Sequence, residues 1–116
     1  MAINVKSAGL STPVTRTATV GDASCTQIRA DVGATVTILA DGAIFIFNNV
    51  AEGGPVPAAG PPSNRIALSE TEAEQGLKLK VGRTFVGGKI AKRNAGGIIC
   101  IAAQSGTVTV RVIAER

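Results

Sequence analysis

Val108, Val110 and Val112 stand at every second position of QSGTVTVRVIAER (104–116), with Thr107, Thr109 and Arg111 between them. Neighbouring side chains of an extended strand point to opposite faces, so this spacing buries one face and wets the other. The same period recurs along the chain. Val14, Arg16, Ala18 and Val20 alternate with Thr15, Thr17 and Thr19; Ile28 and Ala30 with Arg29 and Asp31; Val36 and Ile38 with Thr35 and Thr37; and Leu77, Leu79 and Val81 with Lys78, Lys80 and Gly82. An α-helix, turning every 3.6 residues, cannot segregate such a pattern. These segments are therefore expected as strands with one wet face.

Two segments depart from the alternation. AIFIFNN (43–49) and GIICIAA (97–103) are apolar at both parities, the pattern of central strands covered on two sides or facing another subunit. Turn signals punctuate the runs at short intervals, at Gly21-Asp22, Val32-Gly33, Asp41-Gly42, Gly82-Arg83, Gly87-Gly88, Gly96-Gly97 and Ser105-Gly106. The pattern predicts an all-β fold: one antiparallel sandwich, jelly-roll-like, or a barrel. Alternation fixes faces but leaves strand order open. One short helix is expected near 69–75, because Ser69 and Glu72 form a capping box and Gly76 follows as a stop.

A chain of 116 residues has the size of one domain, expected over 1–116, and can bury a sizeable core without metal or disulfide. Aromatics are 3% of it, so the core must come from Val, Ile, Leu and Ala, which suit thin sheet layers. Four of the five prolines fall in AEGGPVPAAGPPSN (51–64), which cannot be a ladder strand and is expected as a long semi-extended loop or arm. Residues 1–13 carry no firm strand signal before Pro13 and are a second candidate arm. Both are expected at inter-subunit or partner contacts, with Pro55, Pro57, Pro61 and Pro62 as contact residues of the loop. The start MAINVKSAGLS lacks a basic region followed by an apolar run, and no stretch approaches 18 apolar residues, so neither a standard export signal nor a membrane span is expected.

The sequence offers little for catalysis. It contains no His, which removes the commonest general base and metal ligand and every Ser-His or Cys-His arrangement. Glu70, Glu72 and Glu74 read as helix-start and surface charges. Cys25 and Cys100 lack the local spacing of a zinc or redox motif and read as two buried thiols, in keeping with a reducing site of synthesis. No glycine-rich turn has phosphate-loop or dinucleotide spacing. No enzyme activity, cofactor, metal or small-molecule substrate is expected.

The net charge is +4, and no acid lies between Glu74 and Glu115. Lys78, Lys80, Arg83, Lys89, Lys92 and Arg93 thus form a basic patch. Nucleic acid bound as single strands calls for aromatics interleaved with the cations, and only Phe85 is nearby, so a solvated or protein-facing patch is the preferred reading over nucleic acid, and an acidic protein surface would serve as its partner. Phe45 and Phe47 share one face of their strand, with Ile44 and Ile46 on the other. Core packing is the first reading of the pair, and a subunit interface is the alternative.

The ending GGIICIAAQSGTVTVRVIAER resembles the close of small virion proteins of tailed bacteriophages, and CTQIRADVGATVTILADGAIFIF is similar to the strand-turn-strand that precedes it there. Together they cover 44 of the 116 residues. The resemblance implies a capsid decoration (cement) or head-fibre type protein: a β-sandwich or jelly-roll-like module, homo-oligomeric with a trimer favoured. It would be assembled in the bacterial cytoplasm and bound in the virion to the major capsid protein or another virion protein. It brings no catalytic residues. Scarcity of aromatics sets the chain apart from adhesive tip proteins that stack sugars. A tail or baseplate component shares the same features, and a nucleic-acid-binding β-barrel using residues 78–93 is the alternative from another class.

Overall fold

A computed structural model describes residues 2–6, 12–47, 50–58, 65–81 and 98–115. The strands are β1 (Ile3–Asn4), β2 (Val14–Gly21), β3 (Thr26–Arg29), β4 (Thr35–Ala40), β5 (Ile44–Phe47), β6 (Arg65–Leu68), β7 (Leu77–Lys80), β8 (Ile98–Ala103) and β9 (Thr107–Glu115), with helix α1 (Glu70–Gln75) between β6 and β7; the alternating segments supply β2, β3, β4, β7 and β9 and the doubly apolar ones β5 and β8, while β1 and β6 are additions to the expected set. They make a five-stranded sheet, β1-β3-β8-β5-β6, and a four-stranded sheet, β2-β9-β4-β7. Every described pairing is antiparallel except β1 with β3.

Strands consecutive in sequence mostly lie in different sheets; among those described, only β5 and β6 follow one another and pair. The rows β2-β9-β4-β7 and β3-β8-β5-β6 are the connectivity of an eight-stranded jelly roll, with β1 added beside β3. Two separate sheets replace the barrel that the alternation alone left open.

Registry explains the core. Across the four-stranded sheet, Ala18, Val110 and Ala40 lie in one row and Val14, Ala114, Val36 and Leu79 in another. Across the other sheet, Ile101, Ile46 and Ile66 share a row. These faces meet in one apolar cluster in which Ile28, Ile38, Ile44, Ile46, Ile99, Ile101, Val110 and Val112 are wholly buried. Each such side chain contributes about 1.5–3 kcal/mol relative to exposure. Arg16 has core parity but stays exposed, because β2 is an edge strand and the guanidinium Nη1 turns back to donate to the Thr15 carbonyl at 3.0 Å.

The helix forms as its cap dictates. Ser69 Oγ accepts from the Glu72 N–H at 3.2 Å, Glu72 Oε1 accepts from the Ser69 N–H at 3.0 Å, and Gly76 ends the helix at φ 89°. Ala73 is its buried contact.

The N-terminus differs from the arm expected there. Ile3 and Val5 are buried in the core, β1 pairs with β3, and the Val5 N–H donates to the Arg29 carbonyl at 2.8 Å. Residues 2–6 are thus an edge of the sandwich, while 7–11 lie outside the described residues.

Candidate functional site

The outer face of the five-stranded sheet explains why β5 and β8 are apolar on both sides. Registry sets Gln27, Cys100, Phe47 and Arg65 in one row across β3, β8, β5 and β6, and Ala102, Phe45 and Ala67 in the next. The Gly/Pro-rich segment 50–58 lies over this face. Val50 and Val56 pack on a second apolar cluster of Cys25, Phe47, Cys100 and Ala102, with Phe45 and Ile98 at its margin. The segment is a strap on its own domain over this part of its length.

Its ties are specific. The Cys25 N–H donates to the Gly54 carbonyl at 2.9 Å and the Gly53 N–H to the Cys25 carbonyl at 3.0 Å. Glu52 Oε1 accepts from the Gln27 N–H at 2.7 Å, and Gln27 Nε2 donates to the Val50 carbonyl at 2.9 Å. Gly53, at φ 79°, supplies the left-handed backbone that the turn needs. Gln27 is the buried polar residue of this layer, and its other end accepts from the Arg29 guanidinium at 3.3–3.4 Å. The anchoring role of Gln27 and Glu52 escaped the sequence reading; the available signal was a glutamine at the parity where β8 and β5 place Cys and Phe.

The two phenylalanines part company here. Phe47 is 0% exposed and fills the layer under the strap, so the interface alternative is corrected to core packing at this position. Phe45 is half-buried, with the Arg65 guanidinium 3.8 Å from its ring centroid. Arg65 Nη1 also donates to the Pro57 carbonyl at 2.8 Å, fixing the end of the strap. Pro55 is exposed and Pro57 half-buried; Pro61 and Pro62 lie outside the described residues.

Positions 25 and 100 meet under the same strap. Both thiols are free and buried, and Cys100 Sγ lies 3.3 Å from the Val50 carbonyl oxygen. The hydrogen bond between them raises Cys25, with burial adding to the rise. The same bond lowers Cys100 to about 7 against the opposing effect of burial.

The outer face of the four-stranded sheet is the broad exposed one. Thr19 sits beside Thr109, Thr17 beside Arg111 and Leu39, and Thr15, Ile113, Thr37 and Lys78 form the third row. Lys78 and Lys80, both exposed, line its β7 edge, so two cations of the basic patch are placed together; Arg83, Lys89, Lys92 and Arg93, with Phe85, lie outside the described residues. A shallow depression of about 350 Å³ on this face is lined by Thr17, Leu39, Asp41, Glu74, Thr109 and Arg111, a mixture of both charges. Among the described residues, no cluster of three or more metal-ligating side chains occurs, and no helix is long and apolar enough to cross a membrane.

No family model, curated protein or solved structure matches the chain. The reading of the site therefore stands on its geometry.

Proposed function

We propose that the chain is a non-enzymatic structural component of a tailed-phage virion, a decoration or cement protein that binds the capsid surface as a homo-oligomer, with a trimer favoured. The observation that carries this reading is the outer face of the four-stranded sheet. On this face its interior strands β9 and β4 bear threonines, Leu39, Ile113 and the cation Arg111, on a backbone held by antiparallel ladders. A flat surface of short β-branched side chains loses little conformational entropy when covered, so it favours binding by area and shape. Lys78 and Lys80 at its margin add attraction to an acidic partner. The fold alone assigns no function; the jelly-roll connectivity supports the reading because β8 and β9, the strands that carry the phage resemblance, hold interior positions in the two sheets.

The test combines the full-length protein with purified capsid shells assembled without it. Light scattering should give a discrete oligomer, and co-sedimentation should saturate at a symmetry-compatible ratio. The double variant Thr17→Lys/Thr109→Lys, which alters only exposed positions, should fold normally and bind at least tenfold more weakly. A monomeric protein that ignores shells would overturn the function, whereas normal shell binding by the double variant would overturn the choice of face.

A further inference from the structure

Cys25 and Cys100 belong to no feature of the proposed capsid contact, yet the fold brings them together from distant sequence positions. Both lie on the strap-covered face of the five-stranded sheet, 1% and 0% exposed. Registry sets Cys100 opposite Gln27, and Cys25 stands two residues before Gln27 on the same outward parity, so the two cysteines are diagonal neighbours within one buried four-residue cluster. The strap above them is tied by hydrogen bonds at Val50, Glu52, Gly53 and Gly54.

We propose that Cys25 and Cys100 form a thiol-oxidation site, which takes a small disulfide such as glutathione disulfide as its co-reactant and closes to an intramolecular disulfide beneath the strap. The reaction proceeds in two exchanges. One cysteine thiolate attacks a sulfur of the small disulfide, forming a mixed disulfide and expelling one small thiolate, which takes up the proton the cysteine lost. The second cysteine then loses its proton and attacks the protein sulfur of the mixed disulfide, releasing the other small thiol. Two cysteine thiols become one disulfide, and one small disulfide is reduced to two thiols.

Of the two thiols, Cys100 is the one whose thiolate its neighbour favours, so it attacks the small disulfide. The strap must open first, since neither sulfur is reachable while Val50 and Val56 cover the layer. A bulky mixed disulfide cannot be housed under the closed strap, so its closing drives Cys25 onto the bond and expels the small thiol. The rate of oxidation therefore follows strap opening, a local event far easier than global unfolding. The product covalently joins the residue just before β3 to the middle of β8, directly under the strap.

The experiment incubates the reduced full-length protein with excess glutathione disulfide at pH 8 and follows intact mass, free thiols and non-reducing peptide mapping. The expected product is a monomeric chain lighter by two hydrogen atoms, with residues 25 and 100 in one cross-linked peptide and no lasting glutathione adduct. Glu52→Ala, which removes one strap tie together with a charge that raises both thiols, should oxidise about fivefold faster than Glu52→Gln, which removes the charge but keeps an acceptor for the Gln27 N–H. A persistent glutathione adduct, an intermolecular cross-link, or two thiols that survive in the folded protein while a urea-unfolded sample loses them would overturn the site. Equal rates in Glu52→Ala and Glu52→Gln would overturn the gating by the strap.

Discussion

Replacing Phe47 by Ala separates packing within one chain from packing between chains. The ring is 0% exposed, between the Cys100 and Arg65 positions of its row and beneath the strap. Phe→Ala in a core costs about 3–5 kcal/mol, the sum of lost transfer energy and the cavity left behind. The floor of this cavity is held rigidly by the β5–β6 and β5–β8 ladders, but its roof is the strap, whose Val50 and Val56 can settle inward. That places the expected loss near the lower end, about 3 kcal/mol, or a fall in Tm of about 12 °C for a chain of this size. The protein has no Trp or Tyr, so urea unfolding is best followed by far-UV circular dichroism. The loss should be the same at every protein concentration, because it arises inside one chain. A loss below about 1 kcal/mol, or one that grows with protein concentration, would refute the assignment of Phe47 to an intramolecular layer.

Three further expectations follow from geometry already described. Ser69→Ala removes the acceptor for the Glu72 N–H and should lower stability by about 1 kcal/mol, read as a shift in thermal midpoint. Gly42→Ala would place a Cβ 2.6 Å from Val108 Cγ1, so it should destabilise by about 1–3 kcal/mol in the same assay, although any residue is acceptable to the local turn rules. Titration by thiolate absorbance, free here of tyrosine interference, should show one thiol ionising near pH 7 in the folded protein. With Cys100 lowered from 9.0, its contribution to stability is present above pH 9 and is lost as pH falls toward 7. Cys25, raised from 9.0, removes stability as pH climbs past 9, so the pair should give maximal stability near pH 9, checked by urea midpoints across that range.

The faces of the strands were legible because one physical rule decides them. Val108, Val110 and Val112 point inward and Thr107, Thr109 and Arg111 outward, as their alternation required, and Leu79 and Lys80 divide in the same way. The helix was legible because Ser69 and Glu72 interact across three residues and need no tertiary partner. What escaped depends on distant neighbours. β1 has only two residues, too short to show a period, and exists because β3 offers it an edge. The double apolarity of AIFIFNN admitted either a subunit or an internal cover, and a strap from residues 50–58 is invisible to any local pattern. The meeting of Cys25 with Cys100 likewise follows from β3 lying beside β8, a matter of strand order on which alternation is silent.

The ladders also dictate when the protein can acquire its shape. β9, an interior strand of its sheet, pairs Ala114 with Val14, and β8 holds the middle of the other sheet. During synthesis neither sheet can close until residues 98–115 have left the ribosome, so the nascent chain must carry its isoleucine-rich segments unprotected until those residues are made. Loops of such length close slowly. The turns that cut the apolar runs into short strands then serve a second purpose: they limit the length over which the waiting chain can pair with a neighbour before β8 and β9 arrive.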